Sequence, residues 1–283
     1  MTLMEHLYEL RNRLTVAMLA LAAGGVLGFF WWGVHPLGFA SLNELLTGPY
    51  CGLPPGVRLT PNPGECQLLQ TSPFDAFNTR LQVGLAAGAV LTGPVWLYQI
   101  WAFITPGLHV KERRFAMVFV GVASILFAVG AVLAYFVVPA GLSFLVGLGD
   151  GAFTVALNGK AYVGFLLLML LVFGVSFELP LIIVMLNLVG VLPYTKLRSW
   201  QRGSIFGLFV FAAVATPGQD PISMIALALA LVVLFELAVF IAYLHDRRVV
   251  RQRAEQGWDD LDPDEASTLD HRVEPVAGYD DVT

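Results

Sequence analysis

The most constraining feature of this sequence is a set of long apolar segments. The first of them, residues 14–34, contains no charged side chain. About 20 apolar residues in an α-helix, at ~1.5 Å per residue, cross the ~30 Å hydrocarbon core of a bilayer. Mean hydropathy is +0.72 and 13% of the residues are charged, which argues against an ordinary soluble domain. We therefore expect an all-α integral membrane protein.

Counting such segments by length and breaks predicts six transmembrane helices, at residues 14–34, 76–100, 115–138, 160–190, 203–217 and 222–244. The first exceeds a secretory signal core of ~7 to 15 residues and lacks a small-residue cleavage site, so we interpret it as a retained helix. The fourth is too long for one straight crossing and must tilt or bend at Pro180. The fifth is short, so either the bilayer thins beside it or the helix extends toward Lys196.

Lys and Arg in the connecting segments predict the orientation, because positively charged loops stay in the cytoplasm. Basic residues cluster on one side of the predicted bundle, at 11–13, 111–114, 196–202 and 247–253. The other side holds Arg58, Arg80 and Lys160. Both termini are therefore predicted to be cytoplasmic.

The sequence divides into a membrane domain, residues 1–244, and a tail, residues 245–283. The tail contains 11 of the 21 acidic residues and few apolar runs, which predicts a disordered cytoplasmic segment. At the other terminus, leucines recur at helical spacing, with Glu5, Glu9 and Arg13 on another face. That pattern predicts an amphipathic helix that lies along the membrane surface before the chain turns inward.

The first outside loop, about residues 35–75, is rich in Pro and Gly and is expected to be an ordered cap or a flexible crossing. It contains the two cysteines of the chain, Cys51 and Cys66. They form a disulfide if the loop faces an oxidising compartment, and otherwise are two unpaired thiols. The residues alone leave both states open.

Two glutamates lie on the basic side, at Glu9 and Glu112. Glu9 can form an ion pair with Arg13 one helical turn away, and residue physics alone favours this interpretation. Glu112 stands between Lys111 and Arg113 and could likewise be an interfacial charge without a task. Because acidic residues contribute little to topology, the alternative is that both carboxylates receive a basic ligand.

Three further acids lie in or against predicted helices. A charge near the bilayer centre costs at least ~2.5 to 3.5 kcal/mol, so such residues are usually paired, neutralised or directed into a cavity. Glu178, inside the fourth segment, is therefore a candidate functional residue. Asp220, between two prolines, is expected to cap the sixth helix. Glu236 could reach the cytoplasmic interface and ranks lower.

Several chemistries have no support in the sequence. Gly159-Lys160 lacks the remainder of a nucleotide-binding loop, and the scattered histidines form no zinc motif. Gly174-Val175-Ser176 is not followed by the glycine of a serine-nucleophile turn. We expect no enzyme activity, cofactor, metal or nucleic-acid partner. A small-solute secondary transporter with Glu178 as its ion-coupling residue remains an alternative.

Five motifs occur in one order along residues 6–180: HLYELRNRL, SPFDAF, YQIWAFITPGL, ERR and FGVSFELP. They resemble TatC, the polytopic subunit of the twin-arginine protein translocase. The resemblance implies a six-helix receptor in the bacterial cytoplasmic membrane that binds signal peptides bearing paired arginines. It also implies assembly with single-span TatA/TatB-type subunits, self-association, and transport driven by the proton-motive force.

The resemblance assigns roles to matching residues. Glu9 and Glu112 are the carboxylates expected to meet the signal arginines, and the residues expected to shape that site are Arg11, Phe103, Pro106 and Leu108. Glu178 matches a membrane-embedded glutamate, whereas Pro49 and Asp220 match sensitive positions on the outside. The sequence departs from the family pattern in its cysteine pair, in its long acidic tail, and at Met224.

Overall fold

The computed structural model describes residues 3–52, 66–104, 113–148 and 158–255. Within these ranges the regular structure is helical, without strands, and comprises the α-helices α1 (Leu3–Trp31), α2 (Leu42–Cys51), α3 (Asp75–Leu91), α4 (Gly93–Ile104), α5 (Arg113–Gly147), α6 (Gly159–Ser176), α7 (Leu179–Leu188), α8 (Tyr194–Ala215) and α9 (Pro221–Glu255). The predicted all-α membrane fold is confirmed.

Four long apolar segments qualify as membrane-spanning by length and composition: Met4–Trp31, Met117–Gly147, Gly159–Leu188 and Pro221–Gln252. The bent pair α3 and α4 would be a fifth. Helix α8 is apolar in its second half but begins with a polar and basic turn, as the predicted extension toward Lys196 requires. The count of six crossings stays a prediction with which this arrangement agrees.

The predicted span 76–100 is not one straight helix. Helices α3 and α4 meet at a 63° bend around Thr92. Pro94 explains the break, because proline donates no backbone hydrogen bond and clashes with the preceding turn. The Trp96 indole nitrogen donates to the Ala89 carbonyl at 2.8 Å and the Thr92 hydroxyl to the Gly88 carbonyl at 2.8 Å. These side chains satisfy carbonyls at the bend.

The fourth predicted segment is interrupted just before Pro180, and whether it tilts or bends there stays a prediction. Helix α6 ends at Ser176 and α7 begins at Leu179, so residues 177 and 178 interrupt the segment just before the proline. The Phe177 amide still bonds to the Phe173 carbonyl at 3.1 Å. The interruption is therefore short, and it places the backbone of Glu178 at a helix junction inside the apolar segment.

The prediction of a separate surface helix at the N-terminus is wrong. Helix α1 continues unbroken from Leu3 to Trp31. No proline interrupts it and its first glycine is Gly24, so helical hydrogen bonding continues into the apolar segment. At the other terminus α9 extends past the predicted domain boundary at 244 to Glu255. Residues 256–283 of the predicted tail lie outside the described residues.

The core is formed mainly by α5, α6 and α9, with α2 against one end. Its largest buried side chains include Tyr50, Tyr162, Phe173, Met169 and Leu227. Helix α1 packs along α3 and α4, and α8 packs along α9. This arrangement places the N-terminus of α1, the C-terminus of α4 and the N-terminus of α5 together. We call this the basic end.

The basic end also contains the N-terminus of α8 and the C-terminus of α9. Helix α5 runs away from it and meets the α8–α9 turn at the far end, where Gly141 lies against Asp220. Helices α8 and α9 therefore return to the end at which α5 starts. The basic clusters at 11–13, 196–202 and 247–253 consequently share one end of the bundle, as the predicted orientation requires.

Candidate functional site

The first candidate carboxylate, Glu9, lies near the basic end on α1. Its Oε1 accepts hydrogen bonds from Arg13 Nε at 2.9 Å and from Arg13 Nη2 at 2.6 Å. The Glu9 and Arg13 side chains are each 24% exposed. The ion pair expected from residue physics is therefore formed, and Glu9 remains reachable from solvent.

A ring contact joins this part of α1 to α4. The His6 imidazole stacks on the Phe103 ring with centroids 4.6 Å apart. Since Glu9 lies three residues after His6, it shares the helix face that is directed toward α4. Phe103 and Glu9 are thus brought to the same part of the molecule, as the resemblance implied.

The connection from α4 to α5 carries the rest of the predicted site. Pro106, Leu108 and Glu112 lie outside the described residues, between Ile104 at the end of α4 and Arg113 at the start of α5. The helices on either side are packed together, with the Trp101 and Phe119 rings 4.5 Å apart. The segment that contains Glu112 therefore starts at position 105, two positions after Phe103.

Arg11 does not face Glu9. Arg11 is two positions after Glu9, which places their side chains on nearly opposite faces of a helix. Its guanidinium carbon lies 5.2 Å from the centre of the Tyr8 ring, a cation–π contact on the exposed side of α1. The sequence-predicted set is therefore divided between two faces of this helix.

Glu178 lies at the junction of α6 and α7 and is 9% exposed. Neither carboxylate oxygen has a hydrogen-bond partner among the described residues. Gly130 of α5 approaches the junction so closely that a Cβ there would lie 2.7 Å from the Phe173 carbonyl oxygen. A buried carboxylate without a hydrogen-bond partner destabilises the fold, so a functional role explains Glu178 at this position better than a stabilising one.

Asp220 is completely buried at the far end of the bundle. Its Oδ1 accepts a hydrogen bond from the Ser223 amide at 2.7 Å, and Pro221 is the first residue of α9. The predicted cap of this helix is thus confirmed. Its Oδ2 and the Ser223 hydroxyl have no hydrogen-bond partner among the described residues. A Cβ at Gly141 would lie 2.8 Å from Asp220 Oδ1, so glycine permits this approach.

Helix α2 forms an ordered cap over the far end. Ser41 and Glu44 form a capping box at its start, and Pro49 and Tyr50 are buried in its last turn. Cys51, at its end, forms a disulfide with Cys66, which resolves the two states left open by the sequence. The Tyr162 hydroxyl of α6 donates to the Leu46 carbonyl at 2.8 Å. Pro49 is therefore held in a cap attached to the core.

The Ser41 amide lowers the pKa of the Glu44 carboxyl below its ordinary value, and the His35 side chain adds to the effect. The His35 Nε2 lies 3.1 Å from Glu44 Oε2. Hydrogen bonds that favour the ionised carboxylate lower its pKa, so the start of the cap depends on a charged Glu44.

A polar network at the basic end, which we call the latch, was not predicted from the sequence. Asp246 of α9 accepts from the Tyr194 amide at 2.7 Å and from Asn187 Nδ2 at 3.0 Å. Asn187 also donates to the Leu192 carbonyl at 3.0 Å. The latch therefore ties the α7–α8 connection to α9. The signal in the sequence was an amide inside an apolar run, at Asn187.

Glu236 also has a partner. Gln201 Nε2 of α8 donates to both of its carboxylate oxygens at 2.7 Å. This pairing links α8 to α9. It explains how Glu236 is accommodated in an apolar segment.

The family model described as Sec-independent protein translocase protein (TatC) matches residues 5–230. The chain belongs to the TatC family. TatC from Frankia casuarinae is 48% identical over 273 residues, which cover 95% of this chain and 73% of the relative. TatC from Corynebacterium kroppenstedtii is 48% identical over 280 residues, covering 95% and 67%.

The resemblance to solved TatC structures extends to the fold. Two crystal structures described as the twin arginine translocase receptor TatC match with TM-scores of 0.66 and 0.62 at 31% identity. Each match covers 84% of this chain, and 99% or 98% of the solved chain. This TatC chain is therefore a subunit of the Sec-independent protein translocase and a multi-pass membrane protein. The names of its relatives favour protein export over small-solute transport.

Proposed function

We propose that this TatC chain is the signal-peptide receptor of a twin-arginine translocase. Glu9 and Glu112 receive the two signal arginines at the basic end of the bundle, which faces the cytoplasm of a bacterium. The observation that carries the proposal is the His6–Phe103 contact. It places the Glu9 face of α1 beside the end of α4, directly before the segment that contains Glu112.

A pair of carboxylates at the end of the bundle where the basic residues cluster suits a doubly cationic ligand. A carboxylate–guanidinium contact at ~4 Å contributes ~1 kcal/mol in water and ~4 kcal/mol at an effective dielectric constant of ~20. Arginine is preferred over lysine because its planar fork matches both oxygens of a carboxylate. Pro106 and Leu108 lie in the same connection and supply apolar surface for the signal. Arg11, on the other face of α1, contacts a different part of the ligand.

The protein performs no covalent reaction in this proposal. It assembles with TatA/TatB-type single-span subunits and with further copies of itself in the bacterial cytoplasmic membrane, and the proton-motive force drives export. Glu178 supports this assignment because it is buried in the membrane domain without a partner among the described residues. It responds to signal insertion or to protonation, while Pro49 and Asp220 maintain the far end.

The test uses a photoreactive phenylalanine analogue at Phe103 in the full-length protein in membranes. An Arg-Arg signal peptide should crosslink at this position, and a Lys-Lys peptide should crosslink far less. Glu9→Gln and Glu112→Gln should each reduce the Arg-Arg crosslink about ten-fold or more. Absence of the Arg-Arg crosslink would overturn the receptor assignment.

Glu5→Gln is the matched control, because Glu5 lies on the same helix one turn before Glu9 and is exposed. It changes the net charge of the N-terminus as Glu9→Gln does. If both substitutions reduced crosslinking equally, general electrostatic attraction would account for binding, and the specific role of Glu9 would be lost.

A further inference from the structure

The structure shows that Glu9 is already occupied by a guanidinium. Arg13 places both Nε and Nη2 on the same oxygen, Oε1, at 2.9 and 2.6 Å. No hydrogen bond to Oε2 is formed by the described residues. Arg13 thus makes with Glu9 part of the contact that a signal arginine would make, from one helical turn away.

We propose that Arg13 is an internal competitor for the arginine-binding carboxylate of this translocase subunit. The inference rests on the proposed receptor function and adds a specificity-determining residue to it. In the empty receptor Arg13 occupies Glu9, and an incoming signal arginine displaces it.

Displacement follows from the geometry of the carboxylate. A guanidinium binds a carboxylate most strongly through two parallel hydrogen bonds, one to each oxygen. With Oε1 held by Arg13, a second guanidinium reaches Oε2 alone and lies beside a like charge. Full engagement of the signal arginine therefore requires Arg13 to leave Oε1. The ammonium group of a signal lysine needs only one carboxylate oxygen, so its binding is strengthened less when Arg13 leaves Oε1.

The strength of the Arg13 contact makes it suitable for competition. Both side chains are partly exposed, and ion pairs of this kind on one helix are weak. Arg13 therefore reduces signal affinity by a factor of about two to five instead of blocking the site. It also rebinds Glu9 as soon as the signal arginine moves away, because it remains on the same helix, and so it accelerates release.

Nearby residues do not replace Arg13 in this role. Arg11 is on the opposite face of α1, over the Tyr8 ring. His6, which shares the Glu9 face, is stacked on Phe103. Among the described residues, Arg13 is the cation that contacts Glu9.

The experiment measures equilibrium binding and dissociation of a fluorescent Arg-Arg signal peptide with the full-length protein in lipid nanodiscs. Arg13→Gln should raise the affinity about two- to five-fold and slow dissociation. The affinity of Arg13→Lys should lie between those of the wild type and Arg13→Gln. The affinity of a Lys-Lys peptide should change less. Unchanged or weaker Arg-Arg binding in Arg13→Gln would overturn the inference.

A double-mutant cycle separates competition from general electrostatics. Removing any positive charge near the site increases the affinity for a cationic peptide. The effect of a competitor, in contrast, depends on the presence of Glu9. In the Glu9→Gln background, Arg13→Gln should therefore raise the affinity clearly less than in the wild-type background, and a gain of the same size there would overturn the inference. Failure of the wild type to bind the Arg-Arg peptide is a different result, which overturns the proposed function itself.

Discussion

Gly28 of α1 packs directly on Gly84 of α3, and a Cβ at either position would overlap the backbone of the other helix. Gly24 and Gly88 repeat this contact one turn away. The Gly-x-x-x-Gly motif of the first predicted span thus faces that of the second. Small residues at these positions let two membrane helices approach closely.

Gly28→Leu should separate α1 from α3 and destabilise the protein by about 1 to 3 kcal/mol or more, because overpacking forces the backbone to move. The measurement is the midpoint of thermal unfolding in detergent. Gly203→Leu is the control, since a Cβ built at Gly203 has no atom of a neighbouring element within 4 Å among the described residues. Equal losses in the two variants would show that leucine is harmful at any helical glycine here.

Glu178→Leu should stabilise the fold and reduce export. Removing a buried carboxylate that lacks a partner among the described residues relieves a penalty of about 1 to 3 kcal/mol. Thermal unfolding and export of a folded substrate are measured together, with Glu178→Gln as the variant of similar shape. Unchanged export would contradict a functional role, and marked destabilisation would indicate that the carboxylate has a stabilising partner.

Asp246→Ala should release the α7–α8 connection from α9. The Tyr194 amide loses its acceptor and the Asn187 side chain loses one of its two acceptors, at a cost of about 1 to 3 kcal/mol. Increased proteolysis near residues 189–193 and a lower unfolding midpoint are the expected results. Arg248→Gln, an exposed change two residues later, should leave both measurements unchanged.

Loss of the disulfide should weaken the cap formed by α2. Joining Cys51 to Cys66 closes a loop of about 15 residues, for which chain entropy predicts about 3 kcal/mol of stabilisation. Reductant and the double substitution Cys51→Ser with Cys66→Ser should lower the unfolding midpoint by the same amount, since the chain has two cysteines. A further effect of reductant on the double variant would rule out this explanation.

The start of the same cap should depend on pH. The pKa of Glu44 is lowered in the folded protein, so its contribution is present above its ordinary value of 4.5 and is lost as the pH falls through the lowered value. Wild type should unfold at a higher temperature than Glu44→Gln at neutral pH, and the two should converge in acid. A constant difference across that range would contradict this linkage.

Local features of the sequence predicted much of the fold. The apolar segments, the helix interruption before Pro180 and the cap at Asp220 depend on side-chain chemistry within one or two helical turns, so they could be inferred without knowledge of neighbouring helices. The bend at Pro94 was missed because the span 76–100 is long and apolar enough to be interpreted as one crossing. The N-terminal helix was predicted to turn where nothing in its sequence breaks it.

The candidate site was predicted in part. Its residue types and their common end of the bundle follow from the motifs and from the positions of Lys and Arg. That Arg11 faces away from Glu9 could have been derived from helical spacing. The role of Asp246 could not, because it depends on Asn187 and Tyr194, which are 59 and 52 residues away.

The sequence by itself determined that this chain forms apolar helices and where they break, because bilayer thickness and proline chemistry act on short stretches. Tertiary structure decided which helices became neighbours. Three of the predicted spans contain a Gly-x-x-x-Gly motif, and those that start at Gly24 and Gly84 pack together. In the part of the chain that the structure describes, a Cβ built at Gly203 or Gly207 has no atom of a neighbouring element within 4 Å. Close packing is a property of pairs of surfaces, and a single segment does not specify its partner.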